Sequence, residues 1–382
     1  MSVFCHLPSV LDHCETMPNL PSHLASISRI VLDNTTQESS VARRVLSRLG
    51  HLPVTVLEPG QELEPDSPKG QILYLKDYKG RFLRFCPGTS HYRCCGYRII
   101  HIGENCPLNC SYCILKAYFQ DQVLKVWANQ NRLQEELARE FEAYPKRLYR
   151  AGTGEFTDSL ALEAVTGLTA DLVSFLEGYP NACLELKSKV VDLSWMQHVT
   201  RTDRVLPAWS LNAPGVVAHE ESGVASLEER LRAARECVQA GFRVCLHFDP
   251  IIQYPGWRPD YARVVEMIGD YLRPQDIAYL SLGSFRCMPD LKDFISRNWP
   301  DSTYIFNEFI PGLDGKLRLL RPLRVEQFKF LVDGLRDIGL DRQMYFCMES
   351  DEVWKSVLGY TPSDLGGLDH HLLQQTFGSD LM

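Results

Sequence analysis

The sequence has no long apolar run. No window approaches the roughly 18 consecutive apolar residues of a membrane span, and the opening MSVFCHLPSVLDHCETMPNL has no charged segment followed by an apolar core. The expectation is a cytoplasmic protein without a membrane partner. Positive charge is also in short supply. Forty Lys and Arg stand against 48 Asp and Glu, a formal charge of −8, so no global field draws the chain to nucleic acid, and DNA would need a local basic groove. Helix-turn-helix, RNP and zinc-finger patterns are absent, as are internal repeats and low-complexity segments. Hydrophobic residues at 45% and charged residues at 23% suit a soluble protein with a sizeable core. Cysteine is what the chain does not lack. Thirteen, an odd number and without an export signal, argue against a disulfide framework and for metal or redox chemistry.

The first 25 residues show no periodicity and read as an N-terminal arm. Residues 26–96 read as a small α/β region: a strand in ISRIVLDN, an amphipathic helix in SSVARRVLSRLG, a strand in LPVTVLE, and a Pro- and Gly-rich linker over Glu58 to Gln71. From Tyr97 short β-rich runs alternate with helical segments as far as residue 360, and residues 361–382 read as a tail. The expected strands are Tyr97–Ile102, Arg147–Arg150, Ala182–Lys187, Val205–Leu211, Arg243–Asp249, Ile277–Leu282, Tyr304–Phe306 and Gln343–Cys347. Helices are expected at Gln130–Tyr144, Ser159–Gly178, Ser226–Ala240, Pro259–Leu272, Leu291–Asn298 and Val325–Ile338. Such alternation implies parallel strands with right-handed crossovers, in an open sheet or a full or partial barrel. Polar residues gather at strand ends, among them Glu155 with Asp158, Lys187 with Lys189, Ser210 with Asn212, and His247 with Asp249. In α/β barrels that rim carries the chemistry.

The loop after the first of these strands, HIGENCPLNCSYCILKAYF, holds Cys106, Cys110 and Cys113, separated by three residues and then two. In a chain of this composition the spacing arises by chance in about 0.015 of cases, by cysteine arithmetic. Three thiolates on a tight loop occupy three corners of a [4Fe-4S] cubane and leave the fourth iron open. That iron can chelate S-adenosylmethionine (SAM), whose reductive cleavage releases a 5′-deoxyadenosyl radical. An external electron donor such as flavodoxin or ferredoxin is then required. The competing reading is zinc, with a fourth ligand from Cys94, Cys95 or His101. Tyr112 offers an aromatic face to adenine, although a core tyrosine would look the same. Cys183, Cys237, Cys245 and Cys287 lie in apolar surroundings and read as core. Core packing is the expected role of Tyr254, Trp257, Tyr304 and Phe306.

Several stretches in one order, RFCPGTSHYRCCGYRII, CPLNCSYCILKAYF, RAGTGEFTDSLALEAVTG, LELKSK, PAWSLNAPGVV, LEERLRAARECVQAGFRVCLHFDPII and FRCMPDLKDFI, resemble the spore photoproduct lyase family of radical SAM proteins, over roughly residues 28–360. The resemblance implies an α/β fold, a partial (β/α)6 radical SAM barrel with a small N-terminal appendage, and a family whose named member repairs a UV-induced thymine dimer in bacterial spores. It implies SAM contacts at Tyr112, Thr157, Asp158, Lys189, Ser210 and Asn212. Two positions depart from the family. Glu155 stands where the family's cysteine returns a hydrogen atom to the product, and Ile114 stands where a second tyrosine follows the last cluster cysteine. Photoproduct repair therefore does not follow from the resemblance. Catalytic candidates are Tyr112, Glu155 and Cys347, the last a thiol that could replace the missing donor.

The leading expectation is a lyase-like radical SAM enzyme that abstracts hydrogen from an unidentified substrate, with a damaged nucleobase in DNA as one candidate. The alternatives are a non-catalytic iron–sulfur or nucleic-acid-binding protein that keeps the fold, and a zinc hydrolase on an α/β barrel.

Overall fold

A computed structural model describes residues 20–63, 70–88, 91–119 and 121–378. Most of the expected N-terminal arm, six residues of the expected linker and the last four residues of the tail lie outside them. In chain order the strands are β1 (Ile27–Asp33), β2 (Val54–Leu57), β3 (Gln71–Lys76), β4 (Leu83–Phe85), β5 (Arg98–Ile100), β6 (Gly103–Glu104), β7 (Leu124–Trp127), β8 (Tyr149–Gly152), β9 (Ala182–Ser188), β10 (Val205–Ser210), β11 (Val244–Ile251), β12 (Ile277–Ser284), β13 (Arg286–Cys287), β14 (Phe309–Pro311), β15 (Leu317–Leu319) and β16 (Met344–Phe346).

The larger sheet runs β16-β12-β11-β10-β9-β8-β5-β4. Its strands from β5 to β16 are parallel, and β4 pairs antiparallel at the edge. It curls into a partial barrel whose outer face is covered by helices that include Gln130–Ala143, Leu227–Gln239, Trp257–Tyr271 and Arg321–Asp337. The helix at Leu227 starts sharply because Ser226 Oγ accepts from the Glu229 amide while the Glu229 carboxylate accepts from the Ser226 amide, a reciprocal cap. Leu184 and Leu186, Leu246 and Phe248, and Leu280 and Leu282 are buried in the main core. Glu185 and Lys187, His247 and Asp249, and Tyr279 and Ser281 are the alternate residues of the same strands. A period of two thus separates an apolar face from a polar lumen.

The smaller sheet, β2-β1-β3-β7-β6, draws strands from both sides of residue 96, since β6 and β7 follow the first barrel strand in sequence. Its core includes Val41, Val45 and Leu49 of the helix Ser40–Leu49, together with Leu162, Val165 and Leu168 at and within the short helices after β8. The tail is not loose: Leu368 and Leu372 of the helix Leu368–Phe377 are buried in the barrel core.

Two expected elements and one expected core residue are corrected. Tyr304–Phe306 is a short 3-10 turn rather than a strand. Tyr304 instead packs edge-on against Phe285 at 5.1 Å, and Phe306 is exposed rather than in the core. The single helix Ser159–Gly178 is broken into Glu163–Thr166 and Leu168–Leu176 by Gly167, whose φ of +63° stops the first segment. The hairpin of β14 and β15, with β13, forms a small third sheet that the alternation did not announce. Cys183, Cys237, Cys245 and Cys287 are all buried, as expected. Among the described residues no helix is long and apolar enough to cross a membrane.

Inside the lumen, strands on opposite sides meet at one carboxylate. Glu185 on β9, 2% exposed, accepts from Tyr97 Oη at 3.2 Å and from Tyr279 Oη, with His247 Nε2 at 3.4 Å and Arg150 Nη1 at 3.8 Å. Burial would raise its pKa. His247 and Arg150 outweigh that and hold it at about 2, against an ordinary 4.5. Because the folded value is the lower one, the stabilisation is complete above the unfolded pKa and is lost as pH falls toward 2. Glu185→Gln leaves the buried Arg150 without its carboxylate, and we expect it to lower unfolding stability at neutral pH by about 3–5 kcal/mol. It should also flatten the acid limb between about pH 4.5 and 2. Urea titrations across that range check both; an acid limb identical to that of the parent would remove Glu185 from the account.

Candidate active site

After β5 the chain crosses to pair as β6 with β7, and Asn105 then turns it with a φ of +65°. The Asn105 side chain donates to the Asp121 and Val123 carbonyls at 3.0 and 2.9 Å, an arrangement suited to asparagine at a left-handed position. The cysteine loop follows. It is held from one side by the stretch after the helix Pro214–Glu220: the Asn109 amide donates to the Ser222 carbonyl at 3.0 Å and the Ser111 amide to the Glu220 carbonyl at 2.8 Å. Tyr112 is fixed from behind, its phenol donating to Glu221, which pairs at 2.6 Å with Arg230 where both side chains are fully buried. The Tyr112 ring remains toward the cavity, with Lys189 Nζ 5.7 Å from its centroid.

One cavity gathers most of the expected residues. Cys106, Cys110, Tyr112, Cys113, Glu155, Thr157, Asp158, Lys189 and Ser210 all line it. Asn212 and Cys347 do not. The Asn212 amide donates to the Pro250 carbonyl at 3.1 Å and accepts from Tyr261 Oη, so it serves the β10–β11 loop connection. Cys347, one residue beyond β16, stands behind Arg286, whose Nη2 is 3.5 Å from its sulfur. Asp158 is occupied by its own chain: Oδ1 accepts from the Leu160 and Ala161 amides at 2.9 and 3.0 Å and from Ser188 Oγ at 2.7 Å, and Oδ2 from the Lys189 amide at 2.8 Å. It ties the turn after β8 to the end of β9 and so places Thr157 and Lys189 together.

The residues fit the group expected of them. Three thiols face the cavity, and burial pushes Cys110 up to about 12 and Cys106 well above the thiol range. Thiols so placed become thiolates only with a compensating positive charge such as iron. Thr157 Oγ1 is buried without a hydrogen-bond partner at the same wall, a polar atom still to be satisfied. Among the described residues no group of three or more His, Cys, Asp or Glu side chains is placed to hold a single metal ion.

The far wall carries groups that strand-end clustering pointed to without assigning a role. Lys187 on β9 and Glu155 after β8 are 3.8 Å apart. Arg286 on β13 holds both oxygens of Asp249 on β11 at 3.2 Å. A Cβ at Gly283 would lie 2.4 Å from Asp249 Oδ1, so only glycine leaves room for that carboxylate. Burial raises the pKa of Glu155. Burial also opposes ionisation of Asp249, but Arg286 prevails and the pKa falls. Beyond them Cys86 Sγ is 4.0 Å from Glu155 Oε1. The Cys95 thiol is held low by its hydrogen bond with Cys94, although Cys95 is partly buried. An apolar side made by Leu108, Ile114, Leu115 and Phe285 completes the cavity.

A family model described as spore photoproduct lyase matches residues 90–309, a span that includes every cavity residue named here but neither Cys86 nor Cys347. The chain is 19% identical over 218 residues to a spore photoproduct lyase of Clostridium acetobutylicum, covering 57% of this chain and 63% of that protein. It is 20% identical over 212 residues to one of Geobacillus sp., covering 55% and 62%. The match thus spans less than two thirds of either relative's length. Among solved structures, a single-substitution mutant of spore photoproduct lyase superposes with a TM-score of 0.71 at 14% identity, over 85% of this chain and 99% of the other. A mutant of the same enzyme with bound AdoMet and dinucleoside spore photoproduct gives the same values. With the barrel, the three-cysteine loop and more than half its length matched by the family model, the chain belongs to the spore photoproduct lyase family.

Proposed function

We propose that this protein is a radical SAM enzyme in which Cys106, Cys110 and Cys113 hold a [4Fe-4S] cluster and SAM binds beside it. The observation that carries the reading is the convergence of the three thiols with Tyr112, Thr157, Asp158, Lys189 and Ser210 on one cavity. When bound, cluster and SAM supply one-electron reductive cleavage of the sulfonium and a radical that abstracts hydrogen. The protein's own groups bind, orient and keep water out. Lys189 offers an ammonium to the methionyl carboxylate, and Ser210 and Thr157 offer hydroxyls to the remaining polar atoms of SAM. Tyr112, braced by Glu221, presents its ring to the adenine. Asp158 acts through the backbone, setting Lys189 and Thr157 in register. Leu108, Ile114, Leu115 and Phe285 exclude solvent. Glu155 stands at the cavity wall beside Lys187, and burial raises its pKa. Cys347 positions Arg286 rather than reaching the reacting atoms.

The substrate we propose is a damaged nucleobase in DNA; the structural neighbour has AdoMet and dinucleoside spore photoproduct bound. An external flavodoxin or ferredoxin is the proposed electron donor and the cytoplasm the proposed location. The net charge of −8 means that DNA would be gripped locally at the cavity mouth.

Anaerobically reconstituted, reduced protein should convert SAM to 5′-deoxyadenosine, detected by mass spectrometry, and Cys110→Ala should abolish the product. A brown four-iron protein that binds SAM without ever cleaving it would instead identify a binding protein on this fold. Asp158→Ala removes four hydrogen bonds that seat Lys189 and Thr157. It should weaken SAM binding about tenfold, a loss of about 1.4 kcal/mol, while leaving the iron content intact; SAM titration and iron analysis of the same preparation separate the two.

A further inference from the structure

Lys187, on β9, and Lys189, one residue past its end, both line the cavity. The proposed function uses only Lys189. Lys187 also lines the cavity, yet its ammonium makes no hydrogen bond among the described residues, and its carboxylate neighbour Glu155 stays 3.8 Å away, beyond hydrogen-bond reach. The other cation of this wall, Arg286, is already satisfied by both oxygens of Asp249 at 3.2 Å. Glu155 is no better served: among the described residues its side chain has, besides Lys187, the Cys86 thiol at 4.0 Å. The wall therefore carries one tight ion pair and one loose pair, and the loose cation faces the space where a substrate must sit.

We infer that Lys187 anchors an oxyanion of the substrate, carboxylate or phosphate, and that Glu155 occupies that anchor until the substrate arrives. Direct N–H···O bonds of about 2.7–2.9 Å would replace a contact that is too long to be one. Two neighbouring lysines then divide the cavity, Lys189 serving the cofactor and Lys187 the substrate. This assignment rests on the proposed function for the position of SAM, while the anchor itself rests on the wall.

The two members of the loose pair make opposite predictions. Full-length reconstituted protein with SAM present is titrated calorimetrically with methyl phosphate and, separately, with propionate. Lys187→Met should weaken binding of the preferred anion about thirtyfold or more, as expected when one member of a close charge pair is lost. Lys187→Arg should recover most of it. Glu155→Gln removes the competing carboxylate and should tighten binding. Whichever probe binds more tightly identifies the oxyanion as phosphate or carboxylate. The inference fails if neither anion binds the parent at millimolar concentration, if Lys187→Met binds as well as the parent, or if Glu155→Gln does not bind more tightly. SAM binding and 5′-deoxyadenosine formation, followed in the same samples, report on the proposed function separately: anion binding that depends on Lys187 without SAM cleavage leaves the anchor standing and the enzymatic reading overturned.

Discussion

A buried carboxylate at the centre of the lumen, Glu185, is the contact on which the rest of the barrel depends. A partial barrel has no closed ring of backbone hydrogen bonds to hold its two edges together. Here Arg150 reaches Glu185 from the neighbouring β8, while Tyr97, His247 and Tyr279 reach it from parts of the curled sheet that the backbone ladder does not pair with β9. Around them the seam is drawn together by Arg93, whose guanidinium takes both oxygens of Asp351 at 2.6 and 2.5 Å and whose amide donates to the Glu349 carbonyl at 3.1 Å. Charge inside a protein is costly unless paired, and the pairing here is also what gives the lumen its shape.

The cavity is built on this support from two directions. From below come alternate residues of β9 and β11, whose period of two carries the polar face of each strand from Glu185 up to Lys187 and from His247 up to Asp249. From above comes the cysteine loop, which has little regular structure of its own and takes its position from Glu220, Glu221 and Ser222. The buried Glu221–Arg230 pair matters in this respect, since it joins Tyr112 to the helix Leu227–Gln239. A reactive centre that must exclude water is thereby held by groups that never touch it.

Much of this was legible before any coordinates. Parallel strands with crossovers followed from the alternation after Tyr97, and the cysteine spacing marked the loop. What stayed hidden depends on distant contacts. Asp158 reads as a ribose acceptor in sequence because a carboxylate at a barrel rim is free to be one; only the fold shows its oxygens occupied by backbone amides and Ser188. Asn212 similarly faces Pro250 and Tyr261. Tyr304–Phe306 had the composition of a strand, but its place beside Phe285 and Ser111 made it a turn, tertiary packing overriding local preference. The pairing of Lys187 with Glu155 joins β9 to the turn after its neighbour β8 and could not be read from either stretch alone.

The strand β7 carries a consequence for how the molecule is made. It lies in the smaller sheet between β3 and β6, although the chain reaches it only after the first barrel strand and the whole cysteine loop. During synthesis the amino-terminal sheet therefore cannot be completed until Trp127 has left the ribosome, and by then all three cysteines of the loop have emerged with it. The smaller sheet is thus not a module that is finished first, as one of a series of consecutive domains would be. Closing that sheet and laying down the cysteine loop become one event in the life of the protein.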